Sequence, residues 1–467
     1  MKLRNYIKLA IMAVVITTAV SSCQTYKKFD LPKDGAAGEY AAAKDEAVDS
    51  AAFGNLSWQE LFTDPQLREL IAKALENNTD VKNAKLNVDA AQARLLGAKL
   101  SYLPSLAITP SGNTSAYEKI PSKWNWGYSI PLAVSWEIDI FGRLTNAKRS
   151  AKAALMQSEA YQQAVRSQII GAVANTYYAL VSLKRQHALY LETADKWAQS
   201  VEVMRQMKEA GRYTEVAVVQ SEANYSSILA SIPDVELQIL QLNNTMSLLV
   251  GERADWNVNL NAATLMPCAG YDKSIPMSYL AARPDVRAAE QSVATAYYAT
   301  NIARTAFYPS LSISSNGGFT NILGNTISNP GSWFVQLAGN LVAPLFARGQ
   351  NIQNLKVAKA QQQQAMNNFE YTLMSACNEV EHAMVTIDQL SKKRVFVANQ
   401  VYSLSKAVEY NEDLQRLANT TYLEVLTAQQ SLLQAQIKEI GTDLSISQAT
   451  INLYQSLGGG RELSNHK

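Results

Sequence analysis

The chain has 467 residues, with 42 Lys and Arg against 40 Asp and Glu, a net charge of +2. That balance gives no electrostatic basis for binding nucleic acid, and three cysteines in this length indicate no disulfide framework. No glycine-rich phosphate loop and no metal-ligand spacing occurs, and His187, His382 and His466 stand far from one another, so no cofactor, metal or enzymatic site is expected and function must come from shape.

The N-terminus sets the compartment. Lys2, Arg4 and Lys8 precede an apolar core from Leu9 to Val20. Twelve residues are too few to cross a bilayer, which takes about 20 in a helix, so residues 1–22 read as a signal peptide. It ends in Val20, Ser21, Ser22, Cys23, which resembles a lipobox whose Cys23 becomes the lipidated first residue. Gln24 in place of Asp favours the outer membrane by similarity to enterobacterial sorting. Residues 23–55, rich in Ala, Lys, Asp and Gly, read as an extended tether.

Order begins at Trp58. Asp64 can cap a helix with Pro65 in its first turn, and Leu67, Leu70, Ile71, Ala74 and Leu75 follow at helical spacing. A second helical stretch runs from about Val81 to Tyr102 and stops at Pro104. The period then changes to two. Leu106 and Ile108 alternate with small or polar residues, as do Ile130, Leu132, Val134, Trp136 and Ile138. Tyr117, Trp124, Trp126 and Tyr128 cluster at the loop, where an aromatic girdle would sit. From Asn146 to Ala210 there is no Pro and one Gly, a helix of roughly 100 Å at 1.5 Å per residue. It turns back near Gly211 to Thr214 and ends at Gly251, and Pro233 is expected to interrupt and bend the returning helix.

The chain then repeats itself. Asp80 and Asp285, Pro104 and Pro309, and Phe141 and Phe346 are each displaced by 205 residues, so the fold contains two copies of one unit. The second copy has Leu311 and Ile313, then Val335 and Leu337 beside Trp333 and Phe334, and a run from Gln350 to Ile440 with neither Pro nor Gly. Its turn falls near 417–421, and its returning helix ends at Ser456, Leu457, Gly458, a drift to 207 residues from Gly251. The resulting organisation is a first repeat over 56–255 with a hairpin at 105–138, a linker at 256–275, a second repeat over 276–460 with a hairpin at 310–343, and a tail at 461–467. Leu106, Ile108, Ile130, Leu132, Val134, Leu311, Ile313, Val335 and Leu337 are expected to face lipid. Four strands cannot close a water-filled barrel, and an open sheet edge is not viable in lipid. Three copies would supply twelve strands.

Specific segments carry a resemblance. Trp58 with Phe62, Thr63, Asp64, Pro65, Leu67, Leu70, Ile71, Asn77 and Asp80; Phe141, Gly142, Arg143; and Tyr422, Leu423, Glu424, Val425, Leu426, Thr427, Ala428, Gln429 together resemble the TolC-like outer-membrane efflux factors, in the lipoprotein (OprM-like, NodT-type) branch. The resemblance covers about residues 56–460. It implies a mainly α fold with transmembrane β: tandem long helical hairpins forming a trimeric α-barrel tunnel, plus four strands per protomer in a twelve-stranded outer-membrane barrel. It further implies a lipid-anchored homotrimer in the outer membrane, extending into the periplasm and serving as the exit duct of a tripartite efflux system. Its partners would be a periplasmic adaptor and an inner-membrane RND-type pump. The periplasmic gate would include Leu423, Glu424 and Thr427, with Glu215 read as the first-repeat counterpart of Glu424. Thr427 stands where many relatives are acidic, and the second tip has Ala418 and Asn419 in place of Gly. The alternatives are a lipid-anchored periplasmic coiled-coil adaptor and the duct of a type I secretion system.

Overall fold

The computed structural model describes residues 27–43, 53, 56–115, 125–254, 256, 258–261, 264, 277–320, 332–416 and 422–461. Cys23, Cys268, Tyr117, Trp124 and the second tip turn lie outside them. In chain order the elements are α1 (Gly35–Ala43), α2 (Trp58–Leu61), α3 (Pro65–Asn77), α4 (Thr79–Leu100), β1 (Ser105–Ile108), β2 (Ser111–Ser115), β3 (Asn125–Ile138), α5 (Arg143–Glu209), α6 (Glu215–Val250), α7 (Met277–Ala282), α8 (Pro284–Thr305), β4 (Ser310–Thr320), β5 (Ser332–Val342), α9 (Gln350–Arg416) and α10 (Tyr422–Ser456). None of the described helices is long and apolar enough to cross a membrane.

The expected boundaries hold closely where local chemistry specifies them. Asp64 accepts from the Gln66 N–H at 2.9 Å with Pro65 in the first turn of α3. Ser57 and Glu60 close a reciprocal cap on α2. Two expectations fail. The tether is not extended throughout: α1 buries Ala37, Tyr40 and Ala43 and packs on α7, a partner distant in sequence that local composition does not reveal. Pro233 does not interrupt α6, which runs from Glu215 to Val250 through it. Ile228 and Val235, buried on either side, hold the helix where one backbone donor is missing.

The chain divides into two compact units. The first, Met1–Pro32, Asn87–Glu159 and Ala288–Glu370, holds the β-sheet and the helix segments that adjoin it. Its Phe29 backbone N–H donates to the Tyr298 hydroxyl at 3.1 Å, and the Phe29 ring meets Tyr297. The second, Lys33–Leu86, Ala160–Arg287 and Tyr371–Lys467, holds the returning helices and the turn between α5 and α6. There the duplication recurs in detail. Asn78 Nδ2 donates to the Leu249 carbonyl, and Arg283 Nη1 to the Ser456 carbonyl, both at 3.0 Å. Each returning helix stops before a left-handed glycine, Gly251 (φ 78°) or Gly458 (φ 81°). A Cβ on Gly251 would lie 3.2 Å from the Asn77 Cβ, and one on Gly458 3.4 Å from the Arg283 Cα.

The structure locates the drift in the repeat. The offset is 205 from Asp80 to the end of β4 and 207 from β5 onward: Ser115 answers to Thr320, but Asn125 to Ser332, Gly142 (φ 75°) to Gly349 (φ 77°), and Gly251 to Gly458. The connection at 321–331 is simply two residues longer than that at 116–124. The match of Phe141, Gly142, Arg143 to Phe346, Ala347, Arg348 is therefore one of sequence, not position.

Candidate functional site

The sheet lies wholly in the first unit. β1 and β2 both pair antiparallel with β3, β3 with β4, and β4 with β5. Directly opposed residues share a face, so the register sorts every side chain. Leu106 opposes Val134 and Ile108 opposes Leu132. Ile130 opposes Phe319, Trp136 opposes Ile313, and Ile138 opposes Leu311. Leu311 in turn opposes Leu341, Ser315 opposes Leu337, Gly317 opposes Val335, and Phe319 opposes Trp333. All nine strand residues singled out in the sequence thus fall on one face. The other face carries Ser105, Ser135, Ser314, Glu137, Ser312, Asn316, Gln336 and Asn340. Phe334 is on this polar face, opposite Gly318, so only Trp333 of that pair extends the apolar row. The apolar face is not covered: Leu337 is 75% exposed and Leu106 68%. Both edges, β1–β2 and β5, are open among the described residues.

The strand-to-helix corners fix the sheet on its helices. Asp139 accepts from the Leu144 and Thr145 backbone N–H groups at 2.9 and 2.8 Å, capping α5. Arg143 grips Glu137, and the Trp136 Nε1–H donates to the Tyr102 carbonyl at 2.9 Å. The Phe141 ring stacks on Tyr308 with centroids 5.1 Å apart.

In the second unit, the α5–α6 turn and the N-terminal part of α10 meet at one apolar cluster. Leu426 packs with Ala194, Trp197, Met204, Val218 and Ile228, and Tyr213 of the first turn borders them. Glu215 pairs with Lys208 across the first turn, and Arg205 with Glu222 at 2.6 Å. Glu424 and Thr427 are exposed in the first two turns of α10, and Leu423 is exposed beside them; Thr427 Oγ1 donates only to the Leu423 carbonyl, at 2.8 Å. The pairing of Glu424 with Glu215 does not survive. α6 starts at Glu215 and α10 at Tyr422, so Glu424 answers to Ala217. Burial agrees: Val218 and Val425 are both buried, and Val216 and Leu423 both exposed.

One cluster was not singled out in the sequence. Arg283, 7% exposed, forks onto Asp285 (3.0 and 2.7 Å) and reaches Glu379 at 2.7 Å. Burial alone would raise the Asp285 carboxyl, but the Arg283 hydrogen bonds and charge outweigh it and hold it below the ordinary carboxylate range. The signal was present: Arg283 stands where the first repeat has Asn78. A cavity of about 1040 Å³ opens beside it, lined among others by Glu379, His382, Gln448 and Asn452. Further along α10, burial and the neighbouring Asp443 raise the Glu439 carboxyl. Among the described residues, no group of three or more His, Cys, Asp or Glu could hold a metal ion.

Comparison with known proteins follows the same outline. A family model described as outer membrane efflux protein matches residues 70–252 and 275–459. The cation efflux system protein CusC of Escherichia coli O157:H7 is 27% identical over 455 residues, covering 95% of this chain and 97% of its own. The probable outer membrane lipoprotein SilC of Salmonella typhimurium is 26% identical over 415 residues, covering 88% and 89%. A solved structure of CusC superposes with a TM-score of 0.82 at 25% identity, covering 93% of this chain and 98% of that one.

Proposed function

Since the chain belongs to the outer membrane efflux protein family, we propose that it is the outer-membrane exit duct of a tripartite efflux system, a trimer that passes small molecules from the periplasmic side to the outside. The observation that carries this reading is the sheet: one apolar face, one polar face and two open edges in a single chain. Such a sheet is stable in lipid only when its edges are paired and its polar face turned to water. Three copies make twelve strands, with Ser135, Asn316 and Gln336 toward the lumen. The helical hairpins then extend into the periplasm, where their turns meet a periplasmic adaptor and an inner-membrane pump of the RND type. Passage is passive. The family is one of efflux proteins and not of enzymes.

Cys23 anchors the mature chain through lipid in this reading, in keeping with the name of SilC. Cys23→Ser is expected to abolish incorporation of labelled palmitate while leaving the trimer in the membrane, since one lipid adds little to twelve strands. Undiminished labelling would remove the lipobox assignment. The duct itself is tested by planar-bilayer recording on purified protein, where trimers should conduct and monomers should not. Glu424 supplies the finer test. Three exposed carboxylates around a narrow mouth attract cations and repel one another, so Glu424→Gln should lower cation selectivity by about two-fold or more or raise open probability. Unchanged selectivity and gating would leave Glu424 as a solvated surface residue.

A further inference from the structure

The two helical hairpins are cross-braced at the same places. Close to the turns, Arg205 Nη2 donates to Glu222 at 2.6 Å between α5 and α6, and Gln429 Nε2 to Glu412 at 3.0 Å between α10 and α9. Farther from them, His187 Nε2 lies 3.2 Å from Glu236 Oε1, and Arg394 Nε donates to Asp443 Oδ1 at 2.8 Å. Each residue of the first hairpin's braces stands 207 positions before its counterpart in the second, the offset that also relates Gly251 to Gly458. The duplication has kept the place of each brace and changed its chemistry. At the farther place the second hairpin has a guanidinium, charged throughout the physiological range, and the first an imidazole, a group that changes charge between about pH 5 and 8. We propose that His187 and Glu236 form an acid-closed clasp between α5 and α6, an ion pair that is lost as pH rises while Arg394 and Asp443 stay paired.

The surroundings leave Glu236 to decide the charge of the imidazole. On the same helix, Lys184 and Arg185 are turned to the linker, donating to the Trp256 carbonyl at 2.8 Å and the Leu260 carbonyl at 2.6 Å. On α6, Asp234 lies about 200° round the helix from Glu236. On α10, Asp443 is held by Arg394. Glu236 is the only carboxylate that reaches the imidazole among the described residues. A protonated imidazole presents an N–H at both ring nitrogens, so Nε2 must then donate to the carboxylate, with full charge on both sides. The pair needs that proton, so its contribution is complete at acid pH and disappears as pH rises through the histidine range. The clasp closes the hairpin between two fixed points. Lys184 and Arg185 bind the linker on one side, and on the other Leu189 and Tyr190 pack on the apolar cluster of Trp197 and Met204. It belongs to the hairpin of a single chain and does not depend on the oligomeric reading above.

Hydrogen exchange of the α5 and α6 backbone in the full-length protein tests the clasp, with the original chain, His187→Arg and His187→Gln compared at one pH at a time. Comparison at a single pH cancels the intrinsic pH dependence of exchange. At about pH 5.5 the original chain should exchange like His187→Arg, and at about pH 7.5 like His187→Gln. The two variants should differ by about two- to fivefold at both, the span of an exposed ion pair. Exchange in α9 and α10 should be the same in all three. Glu236→Gln keeps the histidine and removes the charge it meets, so it should exchange like His187→Gln at both pH values; it also serves should His187→Arg fold poorly. An original chain that matches His187→Gln at both pH values would overturn the clasp. So would a Glu236→Gln chain that still gains protection in acid. The same response in protein that runs as a monomer would uphold the clasp while removing the trimer.

Discussion

Replacing Leu132 by Arg is expected to cost about 2–4 kcal/mol of inserted stability if the residue lies near the bilayer midplane, and Ser135→Arg close to nothing. The two positions are three residues apart on one strand and differ in face alone. Leu132 stands in the apolar row between Ile108 and Gly317, whereas Ser135 opposes Ser105 and Ser314 on the polar side. In lipid, a guanidinium on the first face must be dragged toward the headgroups or hydrated by a local defect; on the second, in the proposed barrel, it would enter the water-filled lumen. Leu337→Arg and Gln336→Arg repeat the comparison on β5. The readout is the fraction of heat-modifiable trimer in the membrane as urea is raised. Equal losses on both faces would mean that the sheet is not lipid-exposed, and the duct reading would fall with it.

This asymmetry was legible in the sequence because a period of two needs no partner to be seen: nine residues chosen by alternation alone share one face. Helix ends were legible for a similar reason. Asp64–Pro65, Gly251 and Gly458 act through backbone geometry within a turn of their own position. What escaped were features decided by distant parts of the chain. Tyr40 looked like part of a polar tether, since its burial depends on residues far away in sequence. The sequence shows the two-residue shift only at the helix ends, Gly251 and Gly458; the Phe-Gly-Arg and Phe-Ala-Arg segments agree at 205, and the left-handed glycines and the hairpin registers place the step between β4 and β5. That shift also separated Glu424 from Glu215. Arg283 could have been noticed as a cation replacing Asn78, but its fork onto Asp285 and Glu379 required the fold.

Arg283→Ala is expected to shorten the lifetime of the folded trimer by one to three orders of magnitude, corresponding to a loss of about 2–4 kcal/mol. The arginine is buried, and its four hydrogen bonds tie Asp285 at the start of α8, Glu379 on α9 and the Ser456 carbonyl at the end of α10 into one junction. Removing a buried charge that holds two carboxylates costs about 3–5 kcal/mol where all partners are buried. Asp285 and Glu379 are about half exposed, so water recovers part of that loss. Arg283→Lys keeps the charge but cannot fork to two acceptors while donating to Ser456, and should fall between the two. The pH dependence follows from Asp285. Its folded carboxyl is held below the ordinary range, so the stabilisation is fully present above the unfolded value of about 3.9 and is lost as pH falls through the folded one. The difference between Arg283 and Arg283→Ala should therefore be constant from pH 7 to about 5 and narrow below about 4. Because membrane trimers unfold irreversibly, the quantity to measure is a rate, the loss of protease-resistant trimer at fixed temperature. A lifetime unchanged by Arg283→Ala at pH 7 would show that packing of Ser456, Leu457 and Gly458 alone holds the junction.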